Sequence, residues 1–471
     1  MQCDVIFKTF RTYRHPYVYD RHTNLLIMLE EHEYQELVEV ERGAITSDRS
    51  NVIKRFQSQG YLEPNTVTRI EHSSTSLLDS YVNTRVRQLI LQVTQQCNLR
   101  CEYCTYSGIY ENRRTHSGQS MSVNTAERAI DLLIKQSSTL QTVYVSFYGG
   151  EPLLEFNLIR HCVDYLKRLV EGKTIKYSLT TNGTLLTDEV VDFLADNCFQ
   201  LAISLDGTKE DHDANRRFID GRGSFDVIYQ NLVRINERYP EYMNEISIMS
   251  TLNPCVDLAG CIDYFRQESL FSPVHVMFNQ IMTNQIKKAP VYEKSFHNVS
   301  NYEYVKMLLS LVGKTNDVEQ SSVHFRTMES IRDRFRNMQK STALGQVAHH
   351  NGPCEPGLRR LFVRFDGAFF PCERVNDSAE HMRIGSLEKG LDVKQIKAIL
   401  NIGKLTENEC ITCWCLRQCA ICAALIDSDT GLSRKLKLSE CERNHKKALH
   451  DLHEIAVLKE FGFTIENMRI G

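Results

Sequence analysis

From residue 88 onward the chain alternates six times between short apolar runs and amphipathic stretches of helical period. The runs are LILQVTQ, TVYVSFYGG, IKYSLTTNG, FQLAISLDG, EISIMSTLNP and VHVMFNQIM. Between them lie NTAERAIDLLIKQ, NLIRHCVDYLKRLV, TDEVVDFLADN, FDVIYQNLVRINERY and DLAGCIDYFRQ. Strand and helix alternating in this way predict an α/β fold with a parallel sheet wound in β/α units. Six units make a partial (β/α)6, TIM-like barrel, and ligands of such sheets sit at the C-terminal ends of the strands.

Those ends carry polar residues. Gly149-Gly150-Glu151-Pro152 closes the second run, with two glycines that let backbone approach a ligand and a carboxylate that accepts from an ammonium group. Ser178, Thr180 and Asn182 alternate along one face of the third run, and Ser204 and Asp206 along one face of the fourth. His212, Asp213 and Arg216 follow. Any one of these alone reads as a strand-end cap; four successive strand ends read as a site.

Before the barrel, VIFKTF, YVYD and NLLIML read as three strands. EEHEYQELVEV then reads as a helix, and SDRSNVIKRFQSQGYL as a second helix capped by Ser47 or Asp48 and ending near Gly60. The expected division is a winged-helix-like unit at 1–85, of which 62–85 is a polar linker, and a barrel at 86–315. A helical bridge at 316–350, a cysteine-rich region at 351–445 and a C-terminal helix at 446–471 complete it. The cysteine-rich region lacks regular periodicity, so something other than a large apolar core is expected to hold it. The basic run Arg326, Arg332, Arg334, Arg336 and Lys340 reads as a solvated helix face, with an acidic-peptide site as the alternative. A formal net charge of -3 over 471 residues gives no reason to expect nucleic acid or an anionic membrane as a partner. With no signal-peptide pattern and no apolar run of bilayer length, the expected location is the cytoplasm.

The 16 cysteines are unevenly spread. In a reducing compartment dense spacing reads as metal ligation rather than as disulfides. Cys97, Cys101 and Cys104 directly follow the first barrel run. Three thiolates on a tight loop hold three irons of a [4Fe–4S] cube and leave the fourth open, whereas structural zinc takes four ligands. Cys410, Cys413, Cys415, Cys419 and Cys422 form a second group, flanked by Cys354, Cys372 and Cys441. Trp414, among them, is expected to shield metal from water. Cys3, Cys162, Cys198, Cys255 and Cys261 fall into no pattern, and Cys162 and Cys198 read as buried small hydrophobes.

The cysteine spacing, with Tyr103 before the last thiol, resembles the radical S-adenosylmethionine (SAM) family. The resemblance implies that the cluster donates an electron to SAM and releases a 5′-deoxyadenosyl radical that takes hydrogen from carbon. It also implies that Gly149, Gly150 and Glu151 hold the SAM amino group and that Ser204 and Arg216 contact the cosubstrate. Tyr103, Ser178, Thr180, Asn182 and Asp206 complete the candidate set. The C-terminal cysteines resemble the SPASM extension, which holds two auxiliary [4Fe–4S] clusters, although Cys419 and Cys422 lie one residue closer than is usual there. By that resemblance Cys410, Cys413, Cys419 and Cys441 hold the outer cluster, and Cys354, Cys372 and Cys422 the inner one. Cys415 either completes the inner set or leaves an iron open to a substrate thiolate. Zinc is the alternative for CITC…CAIC.

Three functions compete. The first is a maturase of the ranthipeptide type, as for freyrasin or SCIFF peptides. It would link a Cys sulfur of a ribosomally made precursor to carbon, with the leader peptide bound at the N-terminal unit and a flavodoxin- or ferredoxin-type reductant. The second is an anaerobic sulfatase maturase, which forms formylglycine. Those enzymes place an aspartate base after the cysteine aligned with Cys372, where this chain has Glu373 as the candidate base. The third is a non-catalytic iron–sulfur electron carrier, which would leave the strand-end motifs without a purpose.

Overall fold

The computed structural model describes residues 5–111, 114–254, 256–281, 286–315, 322–339 and 342–464. It opens with an antiparallel meander of β1 (Phe7–Arg11), β2 (Pro16–Asp20) and β3 (Leu25–Met28). Side chains of a strand alternate between faces. Val18 packs with Leu37 of α1 (Glu31–Glu41) and with Ile53 and Phe56 of α2 (Asn51–Ser58). Tyr17 and Tyr19 turn to the other face and join a separate cluster, so β2 is buried on both sides. The cap of α2 is Ser50 rather than Ser47 or Asp48: its Oγ accepts the Ile53 N–H at 3.0 Å and donates to Glu36 at 2.6 Å. That second bond ties the cap to α1, and Ser47–Arg49 becomes a short 3-10 turn.

The stretch 62–85 is not a linker. It contains β4 (Arg69–Ile70) and α3 (Leu78–Tyr81), and Leu78, Val82 and Val86 enter the main core. Their spacing of one helical turn is hidden among polar neighbours.

The barrel follows the sequence order. β5 (Gln88–Thr94), α4 (Val123–Lys135), β6 (Thr142–Gly149), α5 (Phe156–Leu169), β7 (Thr174–Thr181) and α6 (Asp188–Asp196) come first. Then come β8 (Gln200–Ser204), α7 (Lys209–Asn215), α8 (Phe225–Arg238), β9 (Ile246–Leu252), α9 (Leu258–Gln267) and β10 (His275–Gln280). All six strands are parallel and each pairs with its sequence neighbour. Along β6, Val143, Val145 and Phe147 are buried in the core that also takes Ala129, Ile130 and Leu133 of α4. Each such side chain contributes roughly 1.5–3 kcal/mol. Tyr144, Ser146 and Tyr148 alternate with them toward the opposite face.

Two helices follow, α10 (Lys294–Leu311) and α11 (Phe325–Gln339), then β11 (Val347–Ala348), which pairs with β4. The cysteine-rich region does not stand apart from the apolar core. Its β12 (Leu361–Val363) adds in parallel to β5, and β13 (Ala368–Phe370), β14 (Gly385–Ser386) and β15 (Gly390–Leu391) extend the same ten-stranded sheet. Phe362, Phe369, Phe370 and, from α12 (Val393–Leu400), Ile396 and Ile399 belong to the barrel's core. These strands are too short to show a period in sequence. After α13 (Glu407–Ile411) the last helix, α14 (Arg434–Glu460), begins before residue 446 and carries Cys441. Arg334 of α11 is not on a solvated face: it pairs with Glu454 at 2.7 Å and Asp451 at 2.5 Å of α14. Lys340 lies outside the described residues. Among the described residues no helix is long and apolar enough to cross a membrane.

The turn after β2 fastens the N-terminal sheet to the cysteine-rich region. Arg21 is 2% exposed and donates to the carbonyls of Ile411 (2.7 Å) and Cys413 (3.3 Å). Arg417 answers by donating to the carbonyls of Arg21 (3.0 Å) and His22 (2.8 Å). Gln418 donates to Asn24 at 2.8 Å. Hydrogen bonds from a charged group are worth ~1.5–3 kcal/mol each. Arg21→Met is therefore expected to lower stability by about 3 kcal/mol and to open this junction to proteases, read by melting temperature and by cleavage near residues 60–66. An unchanged melting curve would contradict the clasp.

Candidate active site

The cysteine loop leaves the C-terminal end of β5 and is pinned from two directions. Arg100 and Glu102 donate their backbone N–H groups to the carbonyls of Arg217 (2.7 Å) and Asn215 (3.2 Å), which holds the loop against the segment after α7. On the other side lies the end of β6. A Cβ at Gly149 would stand 2.2 Å from the Thr94 carbonyl oxygen, and one at Gly150 would stand 2.1 Å from that of Gln96 and 3.1 Å from the Cys97 Cβ. These glycines are thus required by the approach of two backbones, a reason the sequence reading did not supply.

The three thiols receive N–H donors. Cys97 Sγ accepts from the Leu99 N–H at 3.4 Å and from Asn182 Nδ2 at 3.9 Å. Cys104 Sγ accepts from the Tyr106 N–H at 3.4 Å, and Cys101 Sγ from the Arg216 guanidinium at 3.9 Å. Burial pushes Cys97 up to about 11 and Cys101 up to about 12, with the neighbouring thiols adding to the rise, and it raises Cys104 as well. Sulfurs that burial keeps protonated, yet that are furnished with donors suited to thiolates, are a donor set for a metal centre.

Around the loop, side chains of successive strand ends interlock. Asp206 is fully buried; its Oδ1 accepts the Thr251 N–H at 2.9 Å and its Oδ2 accepts Arg216 Nε at 2.9 Å and the Tyr103 hydroxyl. The Arg216 guanidinium also lies 5.2 Å from the centre of the Tyr103 ring. His212 Nδ1 accepts the Asp206 N–H at 3.2 Å, which leaves the proton on Nε2, 2.9 Å from Ser224 Oγ. Burial pulls this imidazole down to about 4, so it is neutral near pH 7. Ser178 and Thr180 alternate with the buried Tyr177 and Leu179 and so share the face opposite the helices; Ser178 lies 2.6 Å from Ser146. Asn182 turns to the cysteine loop, and Ser204 is half-buried at the end of β8.

Glu151 is placed differently from a ligand-facing carboxylate. It is fully buried, and its oxygens accept from the Leu153 N–H (3.0 Å), Thr181 Oγ1 (2.7 Å) and the Asn182 N–H (2.7 Å). It clamps the end of β6 to the end of β7. Thr181, its partner, was invisible in sequence because it alternates out of the polar face.

Arg114 was also missed, since it lies in a loop without periodicity. It is 7% exposed and donates to Asp377 (3.1 Å), Tyr148 (3.1 Å) and the Glu373 carbonyl. It therefore joins the cysteine loop's own continuation to β6 and to the cysteine-rich region. Glu373 Oε1 accepts from Arg360 at 2.7 Å, while Oε2 is buried without a partner among the described residues.

The C-terminal cysteines fall into two sets. Cys410, Cys413, Cys415, Cys419 and Cys441 line one cavity with His350, Lys437 and His445. Burial pushes Cys413 up to about 12 and Cys419 up to about 11. Cys354, Cys372 and Cys422 form the other set: burial pushes Cys372 up to about 11, with Glu373, Cys354 and Cys422 adding to the rise. Cys415 lines the first cavity, near Cys413, Cys419 and Cys441. The short Cys413–Cys415 spacing keeps both thiols at one cavity. Among the described residues no three His, Cys, Asp or Glu side chains are arranged to hold a single metal ion. Trp414 packs edge-on to Tyr19 at 6.3 Å and near His445 at 5.4 Å, so it belongs to the N-terminal junction as much as to the thiols. Cys162 and Cys261 are buried, Cys261 donating to the Asp206 carbonyl at 3.1 Å. Cys198 is exposed, because the chain reverses there with φ 51. Cys3 and Cys255 lie outside the described residues.

Burial pushes the Glu151 carboxyl from 4.5 up to about 7 against the pull of its hydrogen bonds. A carboxyl raised by folding adds stability below its unfolded value and loses it as the pH rises through the folded one. Between 4.5 and about 7 the melting temperature should thus carry a falling component that Glu151→Gln lacks. Parallel pH profiles for the two proteins would contradict this.

Comparison with known proteins agrees with this geometry. Residues 91–255 match the Radical SAM superfamily. The cysteine-type anaerobic sulfatase-maturating enzyme of Clostridium novyi is 34% identical over 167 residues, 35% of this chain and 43% of that protein. The serine-type enzyme of Bacteroides thetaiotaomicron is 29% identical over 44% of this chain and 46% of its own length. The chain thus spans less than half the length of these two relatives. The radical SAM cyclopropyl synthase TigE of Paramaledivibacter caminithermalis is matched more widely, at 22% identity over 84% of this chain and 81% of that protein. Among solved structures, native anSMEcpe with bound AdoMet shares the fold at a TM-score of 0.56 and 21% identity, over 79% of this chain and 99% of that one. The cysteine loop and the strand ends around it thus lie in the segment that matches the Radical SAM superfamily, and the chain is similar to the anaerobic sulfatase-maturating enzymes and to a radical SAM cyclopropyl synthase.

Proposed function

We propose that the chain modifies a ribosomally made, Cys-rich peptide, joining a cysteine sulfur to a carbon of another residue as a thioether. The observation that carries this reading is the division of the C-terminal thiols. With Cys415 in the outer set, Cys354, Cys372 and Cys422 would leave one iron of an inner [4Fe–4S] cluster open to a substrate thiolate.

The residues then take these roles. Cys97, Cys101 and Cys104 hold the cluster whose open iron meets SAM, and the outer thiols hold a second auxiliary cluster. When bound, these groups supply the electron that turns SAM into a source of 5′-deoxyadenosyl radical and accept the electron the substrate gives up on bond formation. Tyr103, Ser178, Thr180, Asn182, Ser204, Asp206 and Arg216 surround the cosubstrate. Because the Glu151 oxygens are committed to Leu153, Thr181 and Asn182, the backbone at Gly149 and Gly150, rather than that carboxylate, meets the SAM ammonium group. Glu373, with an unpartnered Oε2 beside Cys372, takes the proton that the substrate thiol loses. The leader adds a strand at the edge of β3, which among the described residues pairs with β2 alone. A flavodoxin- or ferredoxin-type protein supplies electrons.

Sulfatase maturation is the second reading, favoured by the names of the relatives. One experiment separates the two. The enzyme is incubated anaerobically with SAM, reductant and, in turn, a Cys-rich peptide encoded beside its gene and a sulfatase peptide. Paired loss of hydrogens with thiols protected from alkylation supports thioether formation; formylglycine in the sulfatase peptide overturns it. Iron content tests the ligand assignment. About twelve irons per chain are expected, and about four would leave only the first cluster. Gly150→Ala, which drives a Cβ into the Gln96 carbonyl, should lower the total by about four.

A further inference from the structure

Besides the half-buried His445, whose Nε2 lies 3.2 Å from Cys413 Sγ, the outer thiol cavity contains two deeply buried nitrogen donors that no step above uses. Lys437 is 1% exposed. It lies one turn before Cys441 on α14, on the same helix face. Its Nζ stands 3.4 Å from Cys410 Sγ and also donates to Thr406 Oγ1, which itself lies 3.3 Å from that sulfur. Burying an ammonium group costs several kcal/mol unless an anionic centre answers it. A hydroxyl and a thiol do not supply that charge; thiolates around an iron–sulfur unit do.

The second donor is His350, also 1% exposed and lining the same cavity. Its Nδ1 accepts the Gly352 N–H at 3.3 Å, which puts the ring proton on Nε2. Nε2 is buried without a partner among the described residues. An orphaned buried donor costs ~1–3 kcal/mol. The turn that presents it is wedged in place: a Cβ at Gly352 would stand 1.9 Å from the Ile421 carbonyl oxygen, within the Cys419–Cys422 segment. A protonated Nε2 has no lone pair to give a metal, so the imidazole serves as a donor to sulfur and not as a ligand.

We propose that Lys437 and His350 are positioning residues for the iron–sulfur unit of the outer thiols, donating N–H to its sulfurs and raising its reduction potential. This rests on the reading that those thiols hold a cluster. A fixed positive charge and N–H donors favour the reduced, more negative state, so removing them makes reduction harder.

The test is an EPR-monitored redox titration of the anaerobic holoenzyme, with iron counted for each protein. In Lys437→Met one couple should fall by about 59 mV, a tenfold change for one electron, while the others stay. Lys437→Arg should restore most of the shift, and His350→Phe should lower the same couple. Full iron content with every couple unmoved would overturn the inference alone. Loss of one cluster's iron in His350→Gln, with Lys437→Met fully loaded, would make the imidazole a ligand and overturn its donor role. If Lys437→Met does not load the outer site, Lys437→Arg and Lys437→Gln are compared, and equal potentials in those two overturn the inference. Wild-type iron for fewer than three clusters would instead remove the reading beneath it.

Discussion

A single buried carboxylate, Asp206, holds the cysteine loop to the barrel. A carboxylate with no exposed surface is tolerable only when each oxygen is answered, and the three groups that answer it come from three segments. The Thr251 N–H belongs to β9, the Tyr103 hydroxyl to the cysteine loop, and Arg216 to the segment after α7. Meeting the charge therefore fixes the loop's orientation. Arg216 is held by Nε and keeps its other nitrogens for Cys101 and Thr251. Neutral His212 locks the arrangement from behind, accepting the Asp206 N–H and contacting Ser224, whose hydroxyl donates to the Arg216 carbonyl.

The same device recurs where elements distant in sequence must meet. Glu151 stitches β6 to β7, and Arg114 with Asp377 stitches the cysteine loop's continuation to the C-terminal strands. Breaking the Arg114–Asp377 pair from one side is expected to cost about 3–5 kcal/mol, because the remaining charge stays buried. Apolar contacts build the barrel wall but are not directional. The buried carboxylates and the groups that answer them set the position of the side chains that line its open end.

The strands and helices of the barrel were legible because each is long enough to show its period, and because the polar residues at their ends interrupt apolar runs. The pairing of β12 with β5 was not legible, since a three-residue strand has no period to read. Leu78, Val82 and Val86 were hidden by polar neighbours. Cys97, Cys101 and Cys104 announced themselves by spacing alone, and the structure adds the donors to their sulfurs. Cys415 could not be sorted by spacing, because its partners depend on how α14 brings Cys441 alongside. Arg114, Thr181 and Lys437 carry no local signal: a buried polar or charged side chain is recognisable only once the group that answers it is in place.

The N-terminal meander and the outer thiols form one mechanical unit. Arg21 grips the backbone carbonyls of Ile411 and Cys413, Arg417 grips back, and Tyr19 meets Trp414. Phe10, Tyr17 and Tyr19 also share a core with Ile331 and Phe335 of α11 and Leu452 and Ile455 of α14. A peptide anchored on β3, as proposed, would thus be tied to the cysteine-rich region through the hydrogen bonds of the clasp. A radical reaction needs the target carbon placed before hydrogen is taken, and a rigid anchor meets that need by removing rotational freedom from the substrate in advance. Under the proposed reading the N-terminal unit would position the peptide as well as bind it, and both roles would depend on the arginine clasp rather than on the sheet edge alone.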